Sequence, residues 1–304
     1  MPNTKEIKKR MKSVRDTQKI TNAMYLIAST KMRKAKAELD KTRPYFKALR
    51  SEIKRIFRTA QNIESRYFFP ADGSPAPDGT YGCLVITADK GLAGAYNQNV
   101  IKEAMKLRSQ HPDIKFFVVG EYGRQNFLQH RIPIEHSFLY TAQNPTMQRA
   151  REISALMLEM FDASEVDKIF VIYTDMKNGM TAEAISTRLL PFHRAHFAST
   201  PKDTEKAVKV PFEFLPSVGA VLDNVMHSYV SGFIYSALVS SFCSEQNARM
   251  TAMSSANDNA QKLLDDLSVQ YNRVRQAAIT QEITEVSSGA KAQKRKRARE
   301  VANS

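Results

Sequence analysis

The residues of this chain best placed for chemistry lie in one turn, Thr87-Ala88-Asp89-Lys90-Gly91-Leu92-Ala93-Gly94. An acid, a base and glycines between an apolar run and a helical pattern could cradle a phosphate on backbone N–H groups. The spacing argues otherwise. Neither G-x-G-x-x-G nor G-x-x-x-x-G-K-[ST] occurs there, and a tight strand-to-helix turn accounts for the glycines. Of the six histidines, His193 and His196 form an i, i+3 pair, but no carboxylate or Cys pair accompanies them. They read as exposed polar side chains rather than zinc ligands. Cys83 and Cys243 are the only cysteines, and both sit in apolar patterns. They read as buried free thiols of a reducing cytosol, not as a disulfide. No G-x-S-x-G elbow occurs, and no close carboxylate pair stands in an apolar setting. These residues point to no catalytic centre, no cofactor and no metal site.

The turn is carried by a segment of α/β character. Residues 81–87 (YGCLVIT) are a continuous apolar run suited to a buried strand. Leu92–Ser109 has helical spacing, 114–120 is a second strand, and Glu121–His130 a second helix. Thr146–Phe161 is a third helix, followed by a strand over 168–174. Alternating strands and helices predict a mostly parallel sheet over residues 77–215, with edge strands at 182–192 and 208–215. A Pro- and Gly-rich linker at 67–78 precedes it.

Two long helices flank this domain. Residues 3–58 carry the stripe Ile7, Met11, Val14, Gln18, Thr21, Tyr25, Ala28, Met32, Ala35, Leu39, widened by Ile20, Met24 and Ile27. Pro44 is the point where this helix is expected to kink. At the other end the stripe is Met253, Ala256, Ala260, Leu263, Leu267, Val274, Ala277, interrupted at Gln270, and neither Gly nor Pro lies between Gly232 and Gly289. Each stripe needs a distant partner, and the other is the obvious one. The fold class is therefore α/β with long helices. An antiparallel coiled coil of the N-terminal (1–60) and C-terminal (216–290) helices carries an inserted Rossmann-like α/β domain at 77–215.

The net charge of +14 is uneven. Residues 1–60 hold 18 Lys or Arg against 5 Asp or Glu, and 291–304 hold six basic residues against Glu300. Such ends fit nucleic acid, anionic lipid, an acidic protein surface, or simply a solvated helix face. A basic coiled-coil nucleic-acid-binding protein is the alternative reading, and few aromatic side chains interleave the charges as a stacking platform would require. No apolar run is long enough to span a membrane, and the N-terminus reads as neither a secretory signal nor a transit peptide.

Three motifs give the chain a resemblance over nearly its whole length. They are Ile7, Arg10, Ser13-Val14, Thr17, Lys19-Ile20-Thr21, Ala23-Met24, Ala28 and Lys31; then Asp89-Lys90-Gly91-Leu92-Ala93-Gly94-Ala95-Tyr96-Asn97; and last Ser244-Glu245, Ala248-Arg249-Met250, Ala252-Met253, Asn259-Ala260, Tyr271-Asn272-Arg273, Arg275-Gln276, Ile279-Thr280, Glu282 and Glu285. In that order they resemble the gamma subunit of the F-type (proton-translocating) ATP synthase. The resemblance implies a non-catalytic central-stalk rotor that binds no ATP and transmits torque. Its implied partners are the alpha and beta subunits, the epsilon subunit and the membrane-embedded c-subunit ring. It implies no nucleic acid, no direct bilayer insertion, and a peripheral place on the cytoplasmic face of a bacterial plasma membrane. Carried over by motif, Arg275, Gln276, Thr280 and Glu282 are expected to meet the upper part of the ring, and Met24 and Arg249 its lower loops. Lys31 and Arg33, with Lys34 and Lys36, are expected to meet an acidic beta-subunit loop. The chain departs from the family at its end, where Val286-Ser287-Ser288 leads to the basic residues 291–304. That tail is expected to be disordered and to protrude beyond the ring. The paired cysteines of the plastid redox insert are absent from the sequence.

Overall fold

The computed structural model describes residues 4–59, 65–69, 79–139, 142–177, 181–193 and 214–302. The described chain forms two compact units. One comprises residues up to Leu26 together with those from Thr251 on; the other runs from Ile27 to Met250.

The larger unit is built on five strands: β1 (Tyr81–Ile86), β2 (Lys115–Val119), β3 (His136–Phe138), β4 (Lys168–Lys177) and β5 (Thr181–Leu190). Their order in the sheet is β3-β2-β1-β4-β5. β1 pairs parallel with β2 and β4, and β2 with β3. β5 returns antiparallel along β4, with a register shift at Ile169/Phe170. This places an edge strand where one is expected at 182–192. The second expected edge strand, at 208–215, lies mostly outside the described residues. β1 is buried along its whole length because it has a strand on each side and helices on both faces.

Side-chain alternation along these strands separates two apolar layers. Cys83, Val85, Phe116 and Val118 face α2 (Tyr96–Gln110) and α3 (Glu121–Gln129), meeting Val100, Ala104, Leu107 and Phe127. Leu84, Ile86, Phe117, Val119 and Val171 face the other way. They join α4 (Met147–Asp162) through Ile153 and Met157, and parts of two longer helices through Ile53, Ile56, Met226, Val230 and Ile234. Those two are α1 (Thr4–Thr59) and α5 (Val218–Ala302). Within the larger unit they approach closely at Gly232, where a methyl group would overlap the ring of Phe46.

Two expectations are corrected. The first residues of the expected linker are core: Tyr67 and Phe68 are buried, and the Phe192 N–H donates to the Tyr67 carbonyl at 2.7 Å. The expected run resumes past Pro44: α1 is helical from Thr4 to Thr59 with Pro44 inside it. The basic tail is not irregular but helical, since α5 passes Gly289 and continues to Ala302. The physical reason lies in its composition. Ala, Lys, Arg, Gln and Glu are the best helix formers, and a single Gly costs only about 1 kcal/mol.

Candidate functional site

In the smaller unit, α1 and α5 pair antiparallel. Gln18 Nε2 donates to Gln261 Oε1 at 3.4 Å, and Thr21 Oγ1 bonds Asn257 Oδ1. A step of three forward on α1 thus meets a step of four back on α5. The inward stripe of α1 is the expected one: Ile7 is buried, and Met11, Val14, Gln18, Thr21 and Tyr25 are half-buried. On α5 the stripe is Met253, Asn257, Ala260, Leu264, Leu267, Tyr271, Val274, an unbroken alternation of four and three. This corrects the expected seam in three places. Leu263 is 38% exposed whereas Leu264 is 7% exposed. Tyr271 fills the position that Gln270 seemed to interrupt, and Ala277 faces solvent. On α1, Ile20 and Ile27 do not widen the stripe inward; both are exposed.

The pairing has a definite end. Carried back at the same register, the first described residue of α1, Thr4, falls opposite the α5 turn that holds Val274. Val274 is also the last half-buried residue of α5: every side chain from Arg275 to Gln293 is exposed. Beyond it α5 continues for roughly 28 residues, or about 40 Å, with no described residue of α1 opposite.

Arg275, Gln276, Thr280 and Glu282 therefore stand together on this unpaired stretch. At about 100° per residue, Arg275, Gln276 and Glu282 flank a ridge of Ile279, Ile283 and Val286. All three apolar side chains are exposed. Two side chains of this stretch bond locally: Thr280 Oγ1 donates to the Gln276 carbonyl at 2.9 Å, and Gln281 Nε2 to Glu285 Oε1 at 2.9 Å. The stretch thus offers a mixed apolar and polar face with no intramolecular cover among the described residues. Met24 lies elsewhere in the same unit, half-buried on the paired side of α1.

In the larger unit, Lys31 and Arg33 are exposed on α1. Arg249 is not. Its side chain is 11% exposed and ion-paired with Glu245, one helical turn earlier on α5. Its other arm, Nη2, donates to the carbonyls of Gly91 at 3.0 Å and Lys90 at 3.5 Å. The turn held in this way is the one singled out by its composition. Asn97 grips it from α2: Asn97 Oδ1 accepts from the Ala88 N–H at 2.9 Å, and Nδ2 donates to the Lys90 carbonyl at 3.4 Å. Asp89 Oδ1 accepts the Glu121 N–H at 3.0 Å at the start of α3. Ala88, Ala93 and Tyr96 pack against Ala248. Burial pushes the Glu245 carboxyl up and Arg249 draws it back; burial also pushes up the Tyr96 hydroxyl. The turn fills its own interior with side chains, so its glycines serve chain geometry: Gly94 has φ +54°. The sequence reading missed the clasp between Glu245 and Arg249. Their i, i+4 spacing on a helix was the available signal.

Cys83 and Cys243 are buried free thiols, with Cys243 pushed up to about 11 by burial. No helix among the described residues is long and apolar enough to cross a membrane.

Paired terminal helices with a sheet domain inserted between them, and a helix end that outruns its partner, define a chain built for contact along its length. Residues 3–293 match the ATP synthase family model. The chain is 40% identical over 297 residues to the ATP synthase gamma chain of Acetivibrio thermocellus, covering 97% of this chain and 100% of the relative. It is 40% identical to that of Caldanaerobacter subterraneus subsp. tengcongensis, covering 94% and 98%. Among solved structures it has the fold of a chain in the central stalk and c-ring of the Tetrahymena thermophila mitochondrial ATP synthase. That match has a TM-score of 0.59 and 24% identity, and it covers 78% of this chain and 99% of that one. The chain belongs to the ATP synthase gamma-chain family.

Proposed function

We propose that this chain is the central-stalk rotor of an F-type ATP synthase, transmitting torque between a proton-driven membrane ring and the catalytic alpha/beta ring. In this reading the paired helices of each unit are an antiparallel coiled coil, and the inserted domain is Rossmann-like. The chain performs no catalysis itself. The complex couples ATP synthesis or hydrolysis to ion flow, with this chain as a peripheral component on the cytoplasmic face of a bacterial membrane. Its partners are the alpha, beta and epsilon subunits and the c-ring.

The observation that carries the reading is the register. Thr4, the first described residue of α1, lies opposite Val274, and among the described residues the turns with Arg275, Gln276, Thr280 and Glu282 are bare beside Ile279, Ile283 and Val286. An exposed apolar ridge flanked by charges marks a surface that meets a partner. A shaft turning inside a ring needs such a face, and it needs polar contacts that form and break singly rather than one large buried patch. Met24 is assigned by motif to the lower loops of the ring, and Lys31 and Arg33 are placed to meet an acidic beta-subunit loop. Lys31 and Arg33 have the exposure that role requires.

The test is purification through a tagged beta subunit from the native host, with ATPase assayed in the presence and absence of this chain. One copy per three alpha and three beta subunits, with activity dependent on it, is expected. A chain recovered free, or bound to nucleic acid, would overturn the assignment.

A further inference from the structure

We infer that Arg249 is a positioning residue. With Glu245 it fixes the Asp89–Gly94 turn so that Leu92 stands out as a rigid apolar knob, and Arg249 itself touches no other subunit. The inference rests on the rotor reading for its consequence in the complex, but not for the clasp itself.

The turn is pinned at nearly every residue. Asn97 holds Ala88 and Lys90, the Glu121 N–H holds Asp89, Arg249 holds Lys90 and Gly91, and Ala93 is buried against the helix that carries Arg249. Leu92 is the exception. It is 66% exposed and has φ +62°, the left-handed region, with glycines on the chain at Gly91 and Gly94. A side chain with a Cβ is disfavoured there, and glycine would adopt that backbone without penalty. An apolar side chain at a strained, solvent-facing position contributes nothing to the core. Strain of this kind is retained where the displayed group meets something outside the chain. The chemistry that fits is an apolar recess on a surrounding subunit.

Arg249 cannot serve that contact directly. Both arms of its guanidinium are engaged within the chain, one by a buried carboxylate and one by backbone carbonyls. Glu245 in turn depends on Arg249. Without it, a buried carboxylate would face Asp89, whose charge already works against Glu245. The clasp therefore joins α5 to the displayed turn. Motion of that stretch of α5 is passed to Leu92 without slack.

The experiment is a double-mutant cycle of Arg249→Lys and Leu92→Ala, read in two ways. Lysine keeps a cation beside Glu245 but lacks the second arm that reaches Gly91. In the full-length chain alone, Arg249→Lys is expected to speed amide exchange at Gly91–Gly94 by about tenfold, leaving the β1 and β4 amides unchanged. Unchanged exchange in the turn would overturn the clasp. In the reconstituted complex, each single variant is expected to lower ions pumped per ATP hydrolysed by about threefold. The double variant is expected to fall no further, because the two residues act as one unit. Additive losses would mean that Arg249 makes its own contact and would overturn the positioning role. Faster exchange in the Arg249→Lys chain, together with a wild-type chain that does not assemble with a ring, would uphold the clasp and sink the rotor reading alone.

Discussion

The ring of Phe46 on α1 occupies the space that Gly232 on α5 leaves by having no side chain. A helix interior loses about 1 kcal/mol by carrying Gly instead of Ala. That cost is accepted here because the two backbones can then close on an aromatic side chain that belongs to the same apolar core as Val230 and Ile234. Gly232→Ala is expected to lower stability despite its better helix propensity, by about 1–3 kcal/mol, since the methyl must displace a packed ring. Thermal unfolding checks this. Pairing it with Phe46→Leu should recover part of the loss; a stabilised Gly232→Ala chain would refute the packing argument.

Leu263 and Leu264 are adjacent and chemically identical, and only one is buried. Leu264→Ala is expected to cost about 2–4 kcal/mol, whereas Leu263→Ala should cost well under half as much. Urea unfolding of the two variants decides the register of the helix pair. Equal losses would mean that α5 is rotated from the position described.

This pair also shows how far the sequence could be read. The terminal helices, their partnership and the sheet domain were legible because apolar spacing over many turns has few interpretations. From Ile7 to Ala35 the main α1 stripe falls on buried or half-buried positions, as its spacing indicates. On α5 the stripe slipped by one at Leu263 because two leucines sit side by side and periodicity alone cannot choose between them. The slip then made Gln270 look like a break, although Tyr271 continues the pattern. Ile20 and Ile27 misled for the opposite reason: they are apolar at positions facing away from the seam. Arg249 pairs with Glu245 one turn away, which spacing could show, but its bonds to the Lys90 and Gly91 carbonyls lie more than 150 positions earlier in the chain, which no local pattern encodes. The helical tail was missed because its charge argued for disorder, while its helix propensity argued against it.

Glu121 at the start of α3 should give the domain a small acid sensitivity. Hydrogen bonds from Arg124 and then Gln125 hold its carboxyl down at about 2. A carboxyl lowered in the folded state stabilises above its unfolded pKa of about 4.3, and that contribution fades as pH falls toward 2. Because the pair is about one-third exposed, screening keeps the effect below about 1 kcal/mol. The difference in melting temperature between the wild type and Glu121→Gln is expected to be constant above pH 5 and to shrink between about 4.5 and 2. A difference that widens on acidification would show that Glu121 is not the group responsible.

Gly120, just before it, is a stronger constraint. Its φ is +95°, and a methyl there would run into the backbone carbonyl of Thr87. Gly120→Ala combines a disfavoured backbone with a clash against atoms that cannot rotate away. It is expected to cost more than about 2 kcal/mol, with loss of α3 protection in hydrogen exchange as the local sign. Gly91 has open space around the corresponding position, so Gly91→Ala should stay within about 1 kcal/mol of the wild type.

The unpaired end of α5 separates stability from function. Since every side chain from Arg275 to Gln293 is exposed, Arg275→Ala with Gln276→Ala should leave the melting temperature of the isolated chain within about 1 °C. In the assembled complex the same pair is expected to lower ATPase activity several-fold, because the rotor reading proposed above has these groups meet the ring. Replacing Ile279 and Ile283 by Ser should weaken retention of the chain in the complex, again with little change in the free chain. Removing residues 292–304 is a different matter. That segment lies beyond the apolar ridge and largely beyond residue 293, where the family match ends. Its deletion is expected to leave ATP synthesis and assembly within about twofold, the basic end extending past the contacts that carry torque. A large loss on truncation would move the working contact from the ridge to the basic tail, and Arg275 and Gln276 would then be the approach to the site rather than the site itself.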